Sequence, residues 1–462
     1  MGCAAGPTPL QALSGRQGYG ESHNCIQDPG AQAGAYVYMG TSVGYEAPDA
    51  PIAVPDSLQI LFVNYVGRHG SRFISKPDYT RKLSKYLRDA GELTPVGRRA
   101  LRMCAVVDSV TGDRWGLLDD LGRRELSGIG ERMSKAYAPL LDLRDSLLAE
   151  TSTVPRCMMS ASELTHAMLR CKPTIELRLG SGDRFSSLLR GFSTDKAYRR
   201  YVKEGSWKPV LDAYRDTVCP TAAALRLTAK GSALLEKLGR DCLRRGVQDS
   251  GAGLEAALAD TLAREWPAEW SRISGLTKAQ AIDIAQKLYK VVSGSFAMGY
   301  SDYTLTAACD WRLFFTTLEL YDLWACSDLD RYLHYSNSGL SDAPSGTART
   351  LLGDLTATLR KAAEPDYNGP AVIVRLGHAE TLMPLYSLMQ MPGASLNTSD
   401  WNSVPERWLD FEIVPMAANL QMVLARSHTS GRLYLLQYRN ELPVAAPEPL
   451  EEALSRYERL LK

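Results

Sequence analysis

Two short apolar runs, far apart in the sequence, constrain this chain more than anything else in it. Ile60-Leu61-Phe62-Val63-Asn64-Tyr65-Val66 and Ala371-Val372-Ile373-Val374-Arg375-Leu376 are rich in β-branched and aromatic residues, and each is closed by a glycine, Gly67 or Gly377. Runs of this length and composition, bounded by glycine, predict buried strands. Each strand empties into a turn that holds a histidine: Arg68-His69-Gly70-Ser71-Arg72 after the first, His378-Ala379-Glu380-Thr381 after the second. In an open α/β sheet, ligands bind at the carboxyl ends of the strands, so the two turns are candidates for one crevice.

The first turn sets two guanidinium groups around one imidazole. A guanidinium presents a planar fork of donors that matches phosphate oxygens, and a neutral imidazole nitrogen beside it can attack phosphorus and become a phosphohistidine. The bland alternative is a solvated basic turn behind a core strand. The second turn leads into Leu382-Met383-Pro384-Leu385-Tyr386-Ser387-Leu388-Met389, apolar at helical spacing, with a proline that a first turn tolerates. Glu380 then falls at a helix start, where a carboxylate complements the dipole without any chemistry. A functional role asks for more. His378 and Glu380 are two apart, so a regular helix would send them to opposite sides, and only an irregular strand-to-helix turn lets both face one pocket.

The pair of motifs resembles the histidine acid phosphatase branch of the histidine phosphatases, and within it the multiple inositol polyphosphate phosphatases. In that family the first motif reads Arg-His-Gly-Xaa-Arg, and the second has His followed by Ala-Glu where the related acid phosphatases have His-Asp; this chain shows the Ala-Glu form. Leu93-Thr94-Pro95-Val96-Gly97 and Leu126-Ser127-Gly128-Ile129-Gly130 resemble the family's repeated Leu-Thr-x-x-Gly helix starts. Ser152-Thr153-Val154-Pro155-Arg156, with Ser160-Ala161 behind it, is similar to the segment that contributes the third phosphate-binding arginine. Pro415-Met416-Ala417-Ala418-Asn419 and Asn440-Glu441-Leu442-Pro443 resemble the closing strands. The match runs from about residue 58 to about residue 445 in the family's order, and ordered agreement of several motifs is far more specific than one pattern.

The resemblance implies an α/β fold: a mostly parallel, doubly wound sheet with helices on both faces and an inserted, mainly helical cap. The expected division is a tether over residues 1–50, a phosphatase core over 51–170 and 305–462, and the cap over 171–304. Helical patterning supports the cap. Thr277-Lys278-Ala279-Gln280 is a capping-box start, after which Ala281, Ile284, Ala285, Leu288 and Val292 line one face. Helices are also expected over 79–90, 130–149, 223–245 and 345–363. Residues 419–426 and 433–439 read as an antiparallel hairpin at the sheet's edge.

Composition bounds the partners. The 462 residues are 45% hydrophobic and 23% charged with a formal net charge of +1, enough for a sizeable core and too neutral for a nucleic-acid or membrane-surface protein. No apolar run approaches the ~18 residues of a membrane span. Gly2-Cys3 resembles the end of a bacterial lipoprotein signal, which makes Cys3 a candidate lipid anchor and the chain an exported, periplasmic or cell-surface protein. N-myristoylation competes, but Gly6 occupies the position where that signal wants Ser or Thr. The nine cysteines show no Cys-x-x-Cys and the chain no His-Glu-x-x-His, so no metal site is expected. In an exported chain Cys157 and Cys171 are candidates for a bridge; free, buried thiols are the default. Of the remaining histidines, His166 is expected on a helix, His23 in the tether, His334 in a polar loop and His428 in the hairpin turn, all without a catalytic role.

By resemblance, His69 is the nucleophile, Arg68, Arg72, Arg156 and His378 hold the phosphoryl oxygens, and Glu380 is the general acid. The family's use of the cap to bind the other phosphates of an inositol polyphosphate points to Arg190, Lys196 and Lys203, in and near the basic stretch 195–208; for any one of these a solvated helix face is the plainer account. No cofactor is expected, and the partner is an anionic, phosphorylated small molecule. A broad acid phosphatase, a bisphosphoglycerate phosphatase, a mutase and an inactive phospholigand-binding module stay open.

Overall fold

The computed structural model describes residues 33–247, 251–298 and 303–462. Cys3 and His23 lie outside the described residues. Eight strands, β1 Leu58–Arg68, β2 Ser146–Thr151, β3 Glu176–Ser181, β4 Val372–Gly377, β5 Asn419–Ser427, β6 Leu433–Arg439, β7 Leu442–Pro443 and β8 Glu448–Pro449, form one sheet. Its order is β3-β2-β4-β1-β5-β6-β7, with β8 also paired to β6. The four strands β3, β2, β4 and β1 are mutually parallel, while β5 runs against β1 and β6 against β5. The expected hairpin is present, but its first strand is inserted beside β1 rather than at the edge. The two apolar runs that opened the sequence are neighbours, Val63 opposite Val372 and Arg68 opposite Gly377.

Their composition follows from burial on both faces. Every residue of β4 and the last seven of β1 are buried, as parallel strands covered by helices on both sides must be. A bulge between Ile60 and Phe62 shifts the register of β1. Ile60, Val63 and Tyr65 therefore share one face, and Phe62 and Val66 the other.

Twelve helices matter to the packing: α1 Asp78–Asp89, α2 Pro95–Thr111, α3 Asp120–Ala136, α4 Pro155–Cys171, α5 Lys196–Glu204, α6 Lys208–Val218, α7 Ala229–Arg244, α8 Lys278–Phe296, α9 Thr317–Tyr335, α10 Arg349–Ala362, α11 Ala379–Leu388 and α12 Leu450–Leu461. Leu126, Ile129 and Met133 of α3 and Ala161, Leu164 and Met168 of α4 cover the face of Val63 and Tyr65. Leucines of α10, α11 and α12 cover the other, continuous with the helical bundle of α1, α2, α6, α7, α8 and α9. Among the described residues no helix is long and apolar enough to cross a membrane.

Helix starts follow one device. Thr94 and Thr228 each accept a hydrogen bond from the amide of a glycine three residues on, at 3.1 Å in both cases. Those glycines allow close approach: a Cβ on Gly97 would lie 2.0 Å from Leu227 O, and one on Gly231 2.2 Å from Leu225 O. In α3 the same role falls to Asp119, whose carboxylate accepts from Gly122 N at 2.8 Å. Leu126-Ser127-Gly128-Ile129-Gly130 is thus the interior of α3, not a helix start as expected.

Other expectations need correction. The helix expected over 130–149 ends at Ala136; after a short turn of helix the chain enters β2, whose alternating burial shows a strand hidden among leucines. Residues 176–181, assigned to the cap, are β3 at the sheet's edge, and α9, assigned to the core, packs on α6 and α8. The stretch from Ala33 to Tyr45 is no free tether. Tyr38 and Met39 are buried, and Tyr289 Oη donates to Tyr38 O at 2.8 Å, because aromatic side chains in this glycine-rich segment find the helical bundle. His334 sits in the last turn of α9, paired to Asp330 at 2.9 Å and tilted on Trp207. Cys157 and Cys171 are free and stand at opposite ends of α4, about 20 Å apart by helical rise, too far for a bridge.

Gly130 lets α3 and α4 touch backbone to backbone: a Cβ there would lie 2.3 Å from Leu164 O. Gly130→Ala is therefore expected to destabilise the protein by about 1–3 kcal/mol through overpacking. Urea unfolding checks this, with a lowered midpoint and an unchanged slope.

Candidate active site

The loop after β1 is tied from every side. Arg68 N donates to Ala418 O at 2.8 Å and His69 N to Gly377 O at 3.1 Å, so the turn begins stitched to both neighbouring strands. Ala417, held at φ 54, returns its N–H to His69 O at 3.1 Å. Gly70 N donates to Ser160 Oγ of α4 at 3.1 Å. Ser71 N donates to Glu125 Oε2 and Ser71 Oγ to Asp119 Oδ2, each at 2.7 Å. Only glycine fits at 70, where a Cβ would lie 2.7 Å from Gly122 O.

This frame fixes the proton on His69. Its Nδ1 lies 2.9 Å from Gly70 O; a carbonyl only accepts, so Nδ1 carries the hydrogen and Nε2 keeps its lone pair. Burial, then Arg156, Arg68, His378 and Arg72, hold the imidazole well below its usual range and therefore neutral.

His378 caps α11 in an extended conformation, φ −131 and ψ 171, before the helix begins at Ala379. This is the irregular turn that the spacing of His378 and Glu380 requires. Its amide donates to Thr381 Oγ1 at 3.0 Å, and that hydroxyl donates to Leu189 O at 2.6 Å. The ring stands 5.7 Å from that of His69, nearly perpendicular. Burial, with Arg156, Arg190 and Arg68, outweighs Glu380 and lowers His378 to about 4. Burial alone would raise Glu380, but His378, its own backbone amide, Arg68 and Arg156 hold it below the usual carboxylate range.

The arginines are the electrostatic heart of the cluster. Arg68 is buried, with Nη1 donating to Thr41 O and Val414 O at 2.6 and 2.7 Å. Burial and Arg72 lower it to about 9, and burial and Arg156 lower Arg72 to about 10. Burial also lowers Arg156, in the first turn of α4. The buried Nε of Arg68, Arg72, Arg156 and Arg190 has no hydrogen-bond partner among the described residues. So many desolvated, mutually repelling cations with unused donors suit an anion with several oxygens.

The structure thus brings Arg68, His69, Arg72, Arg156, His378 and Glu380 into one cluster. Arg190 joins it: its guanidinium lies 5.6 Å from the Phe192 ring, which stands edge-on to His378 at 5.9 Å. Lys196 and Lys203 are exposed, about two turns apart on α5.

Sequence reading gave no role to Ser152, Cys157, Ser160 or the stacked Tyr198 and Tyr335, whose rings are 6.2 Å apart and whose phenols feel Glu380. The one available signal was spacing, since Cys157 and Ser160 fall at i+1 and i+4 from Arg156. Cys157 donates to Gly377 O at 3.2 Å, and burial pushes its thiol up to about 11, so it acts as a packing group rather than a nucleophile.

A neutral imidazole with a free nitrogen, set among buried arginines at the carboxyl ends of parallel strands, is the equipment of a phosphatase. The sequence agrees over most of its length: residues 59–439 match the family model of the histidine phosphatase superfamily (branch 2), and the chain belongs to that family. No curated protein sequence matches it. Among solved structures, it is similar to the multiple inositol polyphosphate phosphatase of Bifidobacterium longum in complex with inositol hexasulfate, with a TM-score of 0.64 and 17% identity over 88% of this chain and 92% of that one. The phytase from D. castellii is similar with a TM-score of 0.59 and 15% identity over 92% of this chain and 85% of that one. At these identities the likeness is one of fold.

Arg156→Ala removes one charged donor and relieves repulsion among the rest. It is expected to weaken binding of inorganic phosphate about ten- to hundredfold, the range of a lost hydrogen bond to a charged group. Calorimetric titration at fixed ionic strength measures this.

Proposed function

We propose that the enzyme hydrolyses inositol polyphosphates through a phosphohistidine on His69. The observation that carries this reading is the hydrogen bond from His69 Nδ1 to Gly70 O, which leaves Nε2 as a neutral nucleophile among the arginines. Nε2 attacks phosphorus in line, while Arg68, Arg72, Arg156 and His378 hold the three non-bridging oxygens as charge develops. Glu380 protonates the leaving oxygen, and its carboxylate then takes a proton from the water that hydrolyses the phosphohistidine. The inositol ring as substrate is supported by the Ala-Glu form of the second motif and by the fold likeness to the Bifidobacterium enzyme. Arg190, beside Phe192, is the candidate contact for a second phosphate.

The protonation states set the pH dependence. In the free protein His69 is already neutral and Glu380 ionised, so the scarce form is protonated Glu380. A bound phosphate offsets the arginine field and raises the carboxyl's affinity for a proton. The value of kcat/KM on phytate is therefore expected to fall as pH rises above the acid range, rather than to rise with loss of a proton from histidine.

Phosphate release from phytate and from a nitrophenyl phosphate, with chromatography of the intermediates, tests the reading. His69→Ala is expected to abolish turnover with the fold intact. Glu380→Gln is expected to slow phytate cleavage by about 10²- to 10⁴-fold, but to spare single-turnover release of nitrophenol, a good leaving group. Phytate hydrolysis near wild-type level in Glu380→Gln would place the general acid elsewhere. Turnover of nitrophenyl phosphate with none of phytate would make the enzyme a simple phosphomonoesterase.

A further inference from the structure

Two aspartates that the proposed mechanism leaves unused are buried against each other. Asp328 of α9 and Asp410, which opens the short helix Asp410–Ile413, are both fully buried. The contacts of Asp410 are those of a carboxylate: Trp324 Nε1 donates to its Oδ1 at 2.9 Å and Arg331 Nη1 to its Oδ2 at 2.7 Å. Asp328 is different. Its Oδ1 accepts from Asp410 N at 3.0 Å, but its Oδ2, equally buried, has no donor among the described residues. The two carboxyl groups are nevertheless in hydrogen-bond contact.

Ionised carboxylates only accept, so a contact between two of them needs a proton. Both oxygens of Asp410 already take N–H donors and each keeps a second lone pair, which leaves the hydrogen on Asp328 Oδ2. Charge gives the same answer. The titratable and charged groups that face Asp328 are Asp410, Arg331 and Tyr321 of its own helix, Tyr289 of α8 and Tyr214 of α6. The guanidinium among them already serves Asp410, and a second buried carboxylate would have no cation of its own. Burial and Asp410 accordingly raise Asp328 well above the usual carboxylate range.

The pair stands where the two braces of Arg68 meet. Arg68 Nη1 donates to Thr41 O and Val414 O. Val414 N closes the turn of Asp410–Ile413 on Asp410 O at 2.9 Å, and Asp328 holds the amide at the head of that turn. The segment of Thr41 crosses the same carboxylate: a Cβ on Gly40 would lie 3.2 Å from Asp410 Oδ2, and the Trp324 ring is tilted on Tyr38 at 5.4 Å.

We propose that Asp328 is a positioning residue, a neutral carboxylic acid that donates its O–H to Asp410 and accepts from the Asp410 amide, and so fixes the two segments whose carbonyls hold Arg68. The inference rests on the phosphatase reading only in taking Arg68 as a phosphate ligand.

The proton is tested first. Asp328→Asn keeps both hydrogen bonds, with an amide N–H in place of the O–H, and has nothing to titrate. Unfolding of the wild type releases the proton that Asp328 holds, so its folding constant falls relative to that of Asp328→Asn as pH rises. Above about pH 5, where an unfolded aspartate is ionised, the expected fall is about tenfold per pH unit until the native acid itself ionises. Urea unfolding at a series of pH values measures it, and a ratio that does not change with pH overturns the proposal. The infrared difference between the two proteins at neutral pH is expected to carry the band of one protonated carboxyl; its absence overturns the proposal as well. Inorganic phosphate then probes the positioning by calorimetry. Asp328→Leu, similar in shape but unable to make either hydrogen bond, is expected to bind it about tenfold more weakly, the worth of one weakened hydrogen bond to a charged group. Asp328→Asn restores the affinity. Wild-type affinity in Asp328→Leu, or in Asp328→Ala should the leucine not fold, overturns the positioning role. Failure of the wild type to release phosphate from any monoester would sink the phosphatase reading instead, while leaving both proton readouts intact.

Discussion

Everything at the site depends on the parallel pairing of β1 with β4. Because Arg68 stands opposite Gly377, the two strands end together, and His69 N reaches Gly377 O across the seam. A slip of one residue would turn every side chain of a strand to the other face and part the two histidines. Burial on both faces of these strands resists such a slip. The first consequence is that two segments separated by most of the chain behave as one rigid floor.

Onto that floor the fold places cations that repel each other. Arg68, Arg72 and Arg156 all lose basicity to burial and to a neighbouring arginine, and burial and the same field drive His69 and His378 neutral. Glu380 offsets part of this repulsion, and the surrounding backbone holds the rest. Thr41 O and Val414 O brace Arg68, and the loop is clamped by Glu125, Asp119 and Ser160. Glu125 bears its own cost, since burial, opposed by the amides of Tyr45 and Ser71, raises it to about 7. The preorganisation that favours an anion is the same strain that the bracing groups oppose.

The sequence made some of this plain and hid the rest for physical reasons. β1 and β4 were legible because strands buried on both faces read as unbroken apolar runs, and α8 because Thr277 and Gln280 complete a capping box. β2 was not, since its half-buried alternation is spelled with leucines that read equally as helix. β3 was hidden by Glu176 and Arg178, charges that suit an edge strand and disguise it. At the site, residues that carry charge or a nucleophile stood out by type. Ser152, Cys157 and Ser160 act only through atoms brought near by tertiary contacts, and no local pattern marks a serine for that work. Lys196 and Lys203 stood out by charge density, and α5 holds both exposed.

Helix α4 serves the centre at three points. From one short stretch it sends Arg156 toward the phosphate cluster, Cys157 to the loop after β4, and Ser160 to the loop after β1. Apart from Arg190, every member of the cluster lies at the end of β1, in the turns after β1 and β4, in the first turn of α11 or in this helix. The segment after β3 meets that centre at Arg190 and at Leu189 O, which accepts from Thr381. A lineage built this way can rewrite the surface around the cluster wherever those two contacts are kept, and leave the strand ends and α4 untouched.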